Sequence, residues 1–394
     1  MMYNFDQIIE RRNTNCVKWD DISTPTMLPL WVADMDFAVA PCIEEAVIRR
    51  AQHPCFGYTL VPDAYYEAIQ HWFATRHQWH IETTDILCTI GVIPAIAAVL
   101  RATAQPGDKV VMLTPIYNHF YNLVHEAGCQ AEEVPLLSHN SNGNALSFSI
   151  DWNRLEAALA KEESTTLLLC NPHNPVGRIW SKDELKRIAA LCKQYDILII
   201  SDEIHCEITR PGEMYTPLAT ITDNDNWVVC GSPSKSFNIA GLQNAFIVCH
   251  NAHLRHRIDH AINLNEISGV NPLGVEALIA AYTGGGEWID ELREYIFSNY
   301  DYASSCLDKV PGLTYANTHG TYLMWVNVAP LLRKLNTDSE GLCQRLMTEI
   351  NVRFSHGSMY GKGGEDYVRI NLACPRKTLE EALQRFLDFW STEM

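Results

Sequence analysis

Three of the predicted strands are followed by polar residues that could do chemistry. Residues 171–177 read Asn-Pro-His-Asn-Pro-Val-Gly, residues 201–203 read Ser-Asp-Glu, and residues 232–235 read Ser-Pro-Ser-Lys. Ligands of open α/β sheets lie outside the carboxyl ends of the strands, so we expect these groups to converge. The lysine among them could condense with an aldehyde, if its pKa falls below the free value of about 10.4.

An amine and a carboxylate close together are what pyridoxal phosphate (PLP) requires. The lysine forms a Schiff base, the carboxylate keeps the pyridine nitrogen protonated, and nearby donors bind the ring oxygen and the phosphate. Lys235 is the candidate amine and Asp202 the candidate carboxylate. Alone, the first would be read as a surface lysine and the second as a helix cap. Their combination favours a PLP site.

Other positions fit the same site less specifically. Gly91, Val92 and Ile93 precede Pro94 and a helical pattern, and free amides at a helix start can bind phosphate, although an ordinary helix start is equally compatible. Tyr117 follows a predicted strand and could stack on the pyridine ring, with simple packing as the alternative.

Arg369 is the candidate for holding the substrate. Its two-pronged guanidinium could clasp a carboxylate, and a surface ion pair is the alternative.

Alternating strand and helix patterns must position these residues. Apolar, β-branched runs predict buried strands at 109–113, 165–170, 197–201, 226–230 and 245–249. Ser181 and Glu184 form a predicted capping box before a helix, and Thr378 and Glu381 a second one before the last helix. The pattern is typical of an α/β domain with a mainly parallel sheet.

Composition limits the possible functions. The chain has 394 residues and a net charge of −17, which disfavours binding to nucleic acid or to anionic membrane surfaces. Its thirteen cysteines include no Cys-x-x-Cys, and the chain begins without a basic or apolar leader. We therefore expect reduced thiols and a cytoplasmic location.

The chain resembles the aspartate aminotransferase superfamily, the fold-type I PLP enzymes, over nearly its whole length. It is most similar to the cystathionine β-lyase or cysteine-S-conjugate β-lyase branch. The segments that carry the resemblance are residues 30–37, 171–177, 201–205 and 232–242. The resemblance implies a large PLP-binding domain at 46–282. It also implies a smaller α+β domain formed by 283–394 and the N-terminal segment 1–45.

The resemblance also implies roles for individual residues and a homodimer with shared active sites. Lys235 and Tyr117 would be catalytic, and Arg369, Ala33 and Asn174 would contact the substrate. The residues expected to bind the cofactor are Lys235, Asp202, Asn174, His205, Tyr117, Gly91, Val92, Ile93, Ser232, Ser234 and, from the neighbouring subunit, Tyr58.

Two positions depart from the aminotransferase pattern. His205 stands where a tyrosine is usual, which is similar to the lyase branch. Gln243 stands where many relatives have a phosphate-binding arginine, so how the phosphate is neutralised stays open.

The implied reaction is β-elimination from L-cystathionine or a related cysteine S-conjugate, giving a thiol, pyruvate and ammonia. Lys235 would remove the Cα proton as the general base. Transamination is the alternative, because the same carbanion can be reprotonated at the cofactor. A PLP-bound regulatory protein is a third hypothesis.

A metal site is also conceivable, because His250, His253, His256 and His260 fall at helical spacing. No carboxylate or thiol completes an evident ligand set, so a solvated basic helix is favoured and no metal is expected. Asp34 and Asp36 form a second possible carboxylate pair, interpreted as a structural loop near the substrate entrance.

Overall fold

A computed structural model describes residues 2–21, 24–141 and 143–394. The helices are α1 Val17–Asp20, α2 Pro41–Ala51, α3 Asp63–His77, α4 Val92–Thr103, α5 His119–Glu126, α6 Trp152–Leu159, α7 Lys182–Gln194, α8 Ala252–Leu264, α9 Pro272–Gly284, α10 Gly286–Leu307, α11 Ala329–Leu335, α12 Ser339–Ile350 and α13 Arg376–Glu393. None of these helices is long and apolar enough to cross a membrane.

The strands form two large sheets and one short pair. They are β1 Leu28–Pro29, β2 Ile86–Thr89, β3 Lys109–Thr114, β4 Gln130–Pro135, β5 Leu137–Asn140, β6 Ala145–Ser149, β7 Ser164–Cys170, β8 Leu198–Asp202, β9 Trp227–Gly231, β10 Ala245–Val248, β11 Thr314–Ala316, β12 Leu323–Asn327, β13 Val352–Arg353, β14 Ser355–His356 and β15 Tyr367–Asn371.

The larger sheet has the order β2-β10-β9-β8-β7-β3-β4. Its pairs are parallel except at β10, which runs antiparallel to both neighbours. Strands β8 and β9 are buried along their whole length, because helices cover both faces of the sheet. The mainly parallel α/β fold predicted from the sequence is confirmed, with one reversed strand near its edge.

The unit β7-α7-β8 shows why these residues fold as they do. Ser181 accepts from the Glu184 amide and Glu184 reaches back to the Ser181 amide, so the predicted capping box is present. Leu185, Ile188 and Cys192 lie on the buried face of α7. The helix therefore returns the chain across the sheet, and β8 pairs parallel with β7.

The last helix begins earlier than predicted. Helix α13 starts at Arg376 after Pro375, so Thr378 lies inside its first turn. The capping box proposed for Thr378 and Glu381 is therefore wrong. Leu383, Phe386 and Trp390 nevertheless pack into the core as the helical pattern predicts.

The second sheet has the order β14-β15-β12-β11-β6-β5. Its strands β5 and β6 come from the middle of the chain, and β6 pairs parallel with β11. Strand β15 lies between β12 and β14 and carries Arg369. The division of the chain at residues 45 and 282 stays a prediction.

Candidate active site

Lys235 lies beyond the carboxyl end of β9 at the seam between the two sheets. Its Nζ donates a hydrogen bond to Ala33 O at 2.6 Å. The side chain is partly exposed, yet the loss of surrounding water lowers its pKa. Nearby Arg369 lowers the pKa further, whereas Asp34 and Asp202 oppose the shift. The amine therefore has less affinity for a proton than the amine of an ordinary lysine.

Asp202 ends β8 and is buried. Its Oδ1 accepts from the Ile204 amide at 3.1 Å. Burial raises the pKa of this carboxyl to about 7, while the charge of Lys235 acts in the opposite direction. Among the described residues, no cation lies within ion-pair distance of Asp202. A protonated ring nitrogen would supply the charge that such a buried carboxylate requires.

Arg369 reaches the same place from β15 of the second sheet. Its Nη1 donates to Asn174 Oδ1 at 3.2 Å and its Nη2 to Trp31 O at 2.9 Å. The guanidinium lies 5.0 Å from the centroid of the Tyr360 ring. Its buried Nε has no hydrogen-bond partner within the described parts of the chain. The structure thus brings Asn174 and Arg369 together and leaves the Nε donor of Arg369 unpaired among the described residues.

Tyr117 and His205 are the aromatic groups near these charges. The Tyr117 ring stacks on His119, with centroids 5.0 Å apart, and burial raises its pKa to about 12, so the phenol stays neutral. His205 is buried, and burial lowers its pKa to about 3. The neutral imidazole packs edge-on against Tyr322, and its buried Nδ1 has no partner among the residues described.

The predicted phosphate-binding residues meet at one edge of the larger sheet. Thr89 pairs with Ala245, and Phe246 pairs with Gly231, so the carboxyl ends of β2 and β9 lie at the same edge, on either side of the start of β10. Helix α4 begins here at Val92 with Gly91 as its N-cap, which makes Pro94 the third helical residue. The first amides of α4, those of Val92 and Ile93, can donate to an anion.

Ser232 is engaged within this chain. Its hydroxyl donates to Asn244 O at 2.6 Å and accepts from the Ser234 amide at 3.0 Å. The hydroxyl would have to rotate before it could donate to a phosphate. Gln243 is exposed, with its backbone in the left-handed region at φ 50°.

Tyr58 is the predicted cofactor residue that this chain does not bring to the site. It lies in the segment 53–60, which is neither helix nor strand, and its side chain is fully exposed. Phe56 and Leu60 in the same segment are 58% and 91% exposed. The assignment of Tyr58 therefore depends on a second copy of the chain.

Two polar groups noted in the sequence make hydrogen bonds within the chain. His250 Nδ1 lies 2.8 Å from Asp85 Oδ2, before α8, and Asp34 and Asp36 accept from Arg11 and Lys18. A group of potential ligands that the sequence did not suggest comprises His77, Cys206 and Glu207. The Glu207 carboxylate accepts from Trp72, Arg76 and His77, which explains this cluster as a buried ion-pair group.

Several residues at the site had no individual signal in the sequence. Tyr322 donates to Ala33 O at 3.1 Å, and Trp31 O accepts from Arg369. Asn371 and Asn238 donate to neighbouring backbone carbonyls. The sequence pattern marked only the segment 30–37 as a whole, because the side chains that donate hydrogen bonds to it come from residues up to 339 positions away. A contact of this kind is visible only in the folded chain.

Comparison with known proteins gives consistent matches along the chain. A family model described as aminotransferase class I and II matches residues 25–386. Cystathionine beta-lyase PatB of Bacillus subtilis (strain 168) is 36% identical over 389 residues, covering 97% of this chain and 98% of the relative. Protein MalY of Escherichia coli (strain K12) is 35% identical over 390 residues, covering 97% of each chain. The crystal structure of cystalysin from Treponema denticola, which contains a pyridoxal 5'-phosphate cofactor, matches with a TM-score of 0.92 at 31% identity and covers 100% of both chains.

Proposed function

Because this chain belongs to the aminotransferase class I and II family, we propose that it is a PLP-dependent carbon–sulfur β-lyase. Its relatives include a cystathionine beta-lyase and the PLP-containing cystalysin. The substrate class is L-cystathionine or a related cysteine S-conjugate, and the products are a thiol, pyruvate and ammonia. The observation that carries the proposal is the convergence of Lys235, Asp202 and Arg369 at the seam between the two sheets.

The residues present fit the cofactor. Asp202 is a buried carboxylate that requires a cation, and His205 Nδ1 is a buried polar atom without a partner among the described residues. The start of α4 offers backbone amides suited to a phosphate. Bound PLP supplies an electron sink for the negative charge that develops at the substrate Cα.

Lys235 is the residue that holds the cofactor and then moves a proton. Burial lowers the pKa of its amine, so a larger fraction is unprotonated near neutral pH. An unprotonated amine can attack an aldehyde, and once released it can take the proton from the substrate Cα. The 2.6 Å hydrogen bond from Nζ to Ala33 O holds the amine beyond the carboxyl end of β9.

Arg369 and its neighbours orient the substrate. The guanidinium, fixed by Asn174 and Trp31 O, holds the α-carboxylate by a charge-assisted contact. Tyr117, kept neutral by its raised pKa, offers a flat face for the pyridine ring.

A homodimer completes the proposal. Exposed apolar side chains grouped in one segment mark an interaction surface, and segment 53–60 carries Phe56, Tyr58 and Leu60. Seating this segment on a second copy would cover the apolar side chains and bring Tyr58 to the partner's phosphate site.

One assay separates the lyase from an aminotransferase. The purified enzyme with PLP is incubated with L-cystathionine in the absence of any keto acid, and pyruvate and free thiol are followed together. We expect both products in equal amounts over many turnovers. If turnover requires an added keto acid and no thiol is released, the enzyme is an aminotransferase and the lyase proposal is wrong.

A further inference from the structure

The backbone of residues 31–37, here called the 31–37 loop, is held by side chains along its length. Lys235 and Tyr322 both donate to Ala33 O, and Arg369 donates to Trp31 O. The loop therefore contacts the amine and the guanidinium on which the proposed function depends. Its position sets where both groups point.

The same loop is bound from neighbouring elements. Asn371, two residues after Arg369 on β15, donates to Val32 O and Asp34 O at 2.7 Å each. Asn238 donates to Met35 O and Phe37 O at 3.1 and 2.8 Å. These bonds leave the loop little freedom to shift independently of the site.

Three residues from the N-terminal part of the chain also donate hydrogen bonds to the 31–37 loop. We call Arg11, Lys18 and Trp19 the N-terminal clamp. All three donate to the Asp36 carboxylate, Arg11 at 2.8 Å and the other two at 2.7 Å. Lys18 Nζ also donates to Asp34 O at 2.9 Å, a carbonyl that it shares with Asn371.

Lys18 is the unusual member of the clamp. Only 1% of the residue is exposed, and its partner Asp36 is 5% exposed. Burying both charges costs free energy that an apolar pair would not, so such a pair is weak evidence for a role in stability. A buried ammonium with two fixed acceptors does, however, define the position of the loop sharply.

We propose that Lys18 is a positioning residue for substrate recognition. Its ammonium fixes Asp34 O and Asp36, and this places Trp31 O, the acceptor that orients Arg369 toward the substrate carboxylate. The inference rests on the proposed role of Arg369 as the carboxylate site. Displacements of about 1 Å at such a site can cost about 100-fold in rate.

The test compares two substrates in the holoenzyme. An S-substituted cysteine and its methyl ester differ only in the carboxylate that Arg369 would hold, and thiol release measures kcat/KM for each. In Lys18→Met, we expect the acid-to-ester ratio of kcat/KM to fall at least tenfold from its wild-type value. A general loss of stability or of folded enzyme would lower both rates and leave the ratio unchanged.

A matched control removes a different cation from a buried pair. Arg76 donates to the buried Glu207 at 3.1 Å. Among the described residues its ion-pair partners are Glu207 and Asp290, which lie outside the 31–37 loop. Arg76→Met should lower stability and keep the wild-type ratio. A wild-type ratio in Lys18→Met would overturn the inference. Should Lys18→Met not fold, Trp19→Phe removes one donor to Asp36, and its ratio should fall about threefold.

Hydrogen exchange of the holoenzyme separates this inference from the proposed function. If the acid-to-ester ratio of the wild-type enzyme is near one, Arg369 does not bind the substrate carboxylate. Both that assignment and the inference would then be wrong. With a wild-type ratio well above one, the peptide covering residues 31–37 should exchange faster in Lys18→Met than in Arg76→Met. Equal exchange in the two variants would contradict a positioning role.

Discussion

The carboxyl edge of the larger sheet and the segment 53–60 both carry predicted cofactor residues, yet the chain encloses them very differently. Asp202, Asn174 and His205 are buried, and their surroundings shift their pKa values or fix their hydrogen bonds. Tyr58 is fully exposed in a segment that is neither helix nor strand. One half of the proposed site therefore forms with the fold of a single chain, whereas the other half would be completed only by the second chain of the proposed homodimer.

Removing the Lys235 amine at the buried edge should have the largest effect. Lys235→Ala should lower turnover by at least about 10²–10⁴-fold, because the variant loses its general base and its covalent link to the cofactor. The imine absorbance of PLP-loaded protein should disappear as well. Absorbance spectra and pyruvate formation check both effects.

The exposed lysine at the start of α7 provides the control for this experiment. Lys182→Ala should keep the wild-type spectrum and rate. A Lys235→Ala protein that kept its imine absorbance and full turnover would show that the amine lies elsewhere.

A charge introduced into the exposed segment 53–60 tests whether this segment forms the dimer interface. Leu60→Asp should convert a dimer into a monomer, because a carboxylate would be buried at the interface, and PLP affinity should fall about tenfold. Sedimentation velocity and PLP titration measure the two effects. Leu264→Asp, at an exposed leucine of α8, should change neither. A Leu60→Asp variant that stayed dimeric would place the interface elsewhere.

A further expected effect concerns the pH dependence of stability and the second acid at the buried edge. Glu203, next to Asp202, is buried, and burial raises its pKa to about 8. Its folded-state pKa lies above the unfolded value of about 4.3, so its contribution to stability is complete below that value. The contribution is lost as the pH rises toward 8.

Glu203→Gln resembles the protonated acid and should remove this dependence. Between pH 6 and pH 8 the unfolding free energy of the PLP-free wild type should fall by about 2 kcal/mol more than that of the variant. Urea unfolding at the two pH values gives the difference. Glu162→Gln, at an exposed acid, should behave like the wild type; an equal slope in Glu203→Gln would indicate that Glu203 is ionised when folded.

Much of the buried edge could be predicted because its signals are local. Apolar runs mark β7, β8 and β9, and the polar residues that follow them mark the edge where Asn174, Asp202 and Lys235 meet. The reversal of β10 carries no such signal, since a short apolar strand reads alike in both directions. The capping pattern at Thr378 was misleading, because Pro375 already starts α13 before that position.

The surroundings of the 31–37 loop could not be predicted in the same way. Its bonds join Lys18, Asn238 and Asn371, which are far apart in the sequence. No spacing rule connects a lysine near residue 20 with a backbone carbonyl in the active site. Such contacts depend on how the packed elements meet rather than on the pattern of any one of them.

The parallel pairing of β6 with β11 has a consequence for how this protein can be dissected. Tyr315 and Ala145 are register partners, although 170 residues separate them along the chain. A recombinant fragment starting after residue 282 would expose the edge of β11 that β6 normally covers, and unpaired strand edges promote aggregation. Gene fragments or split reporters should therefore keep residues 145–149 together with the C-terminal part of the polypeptide.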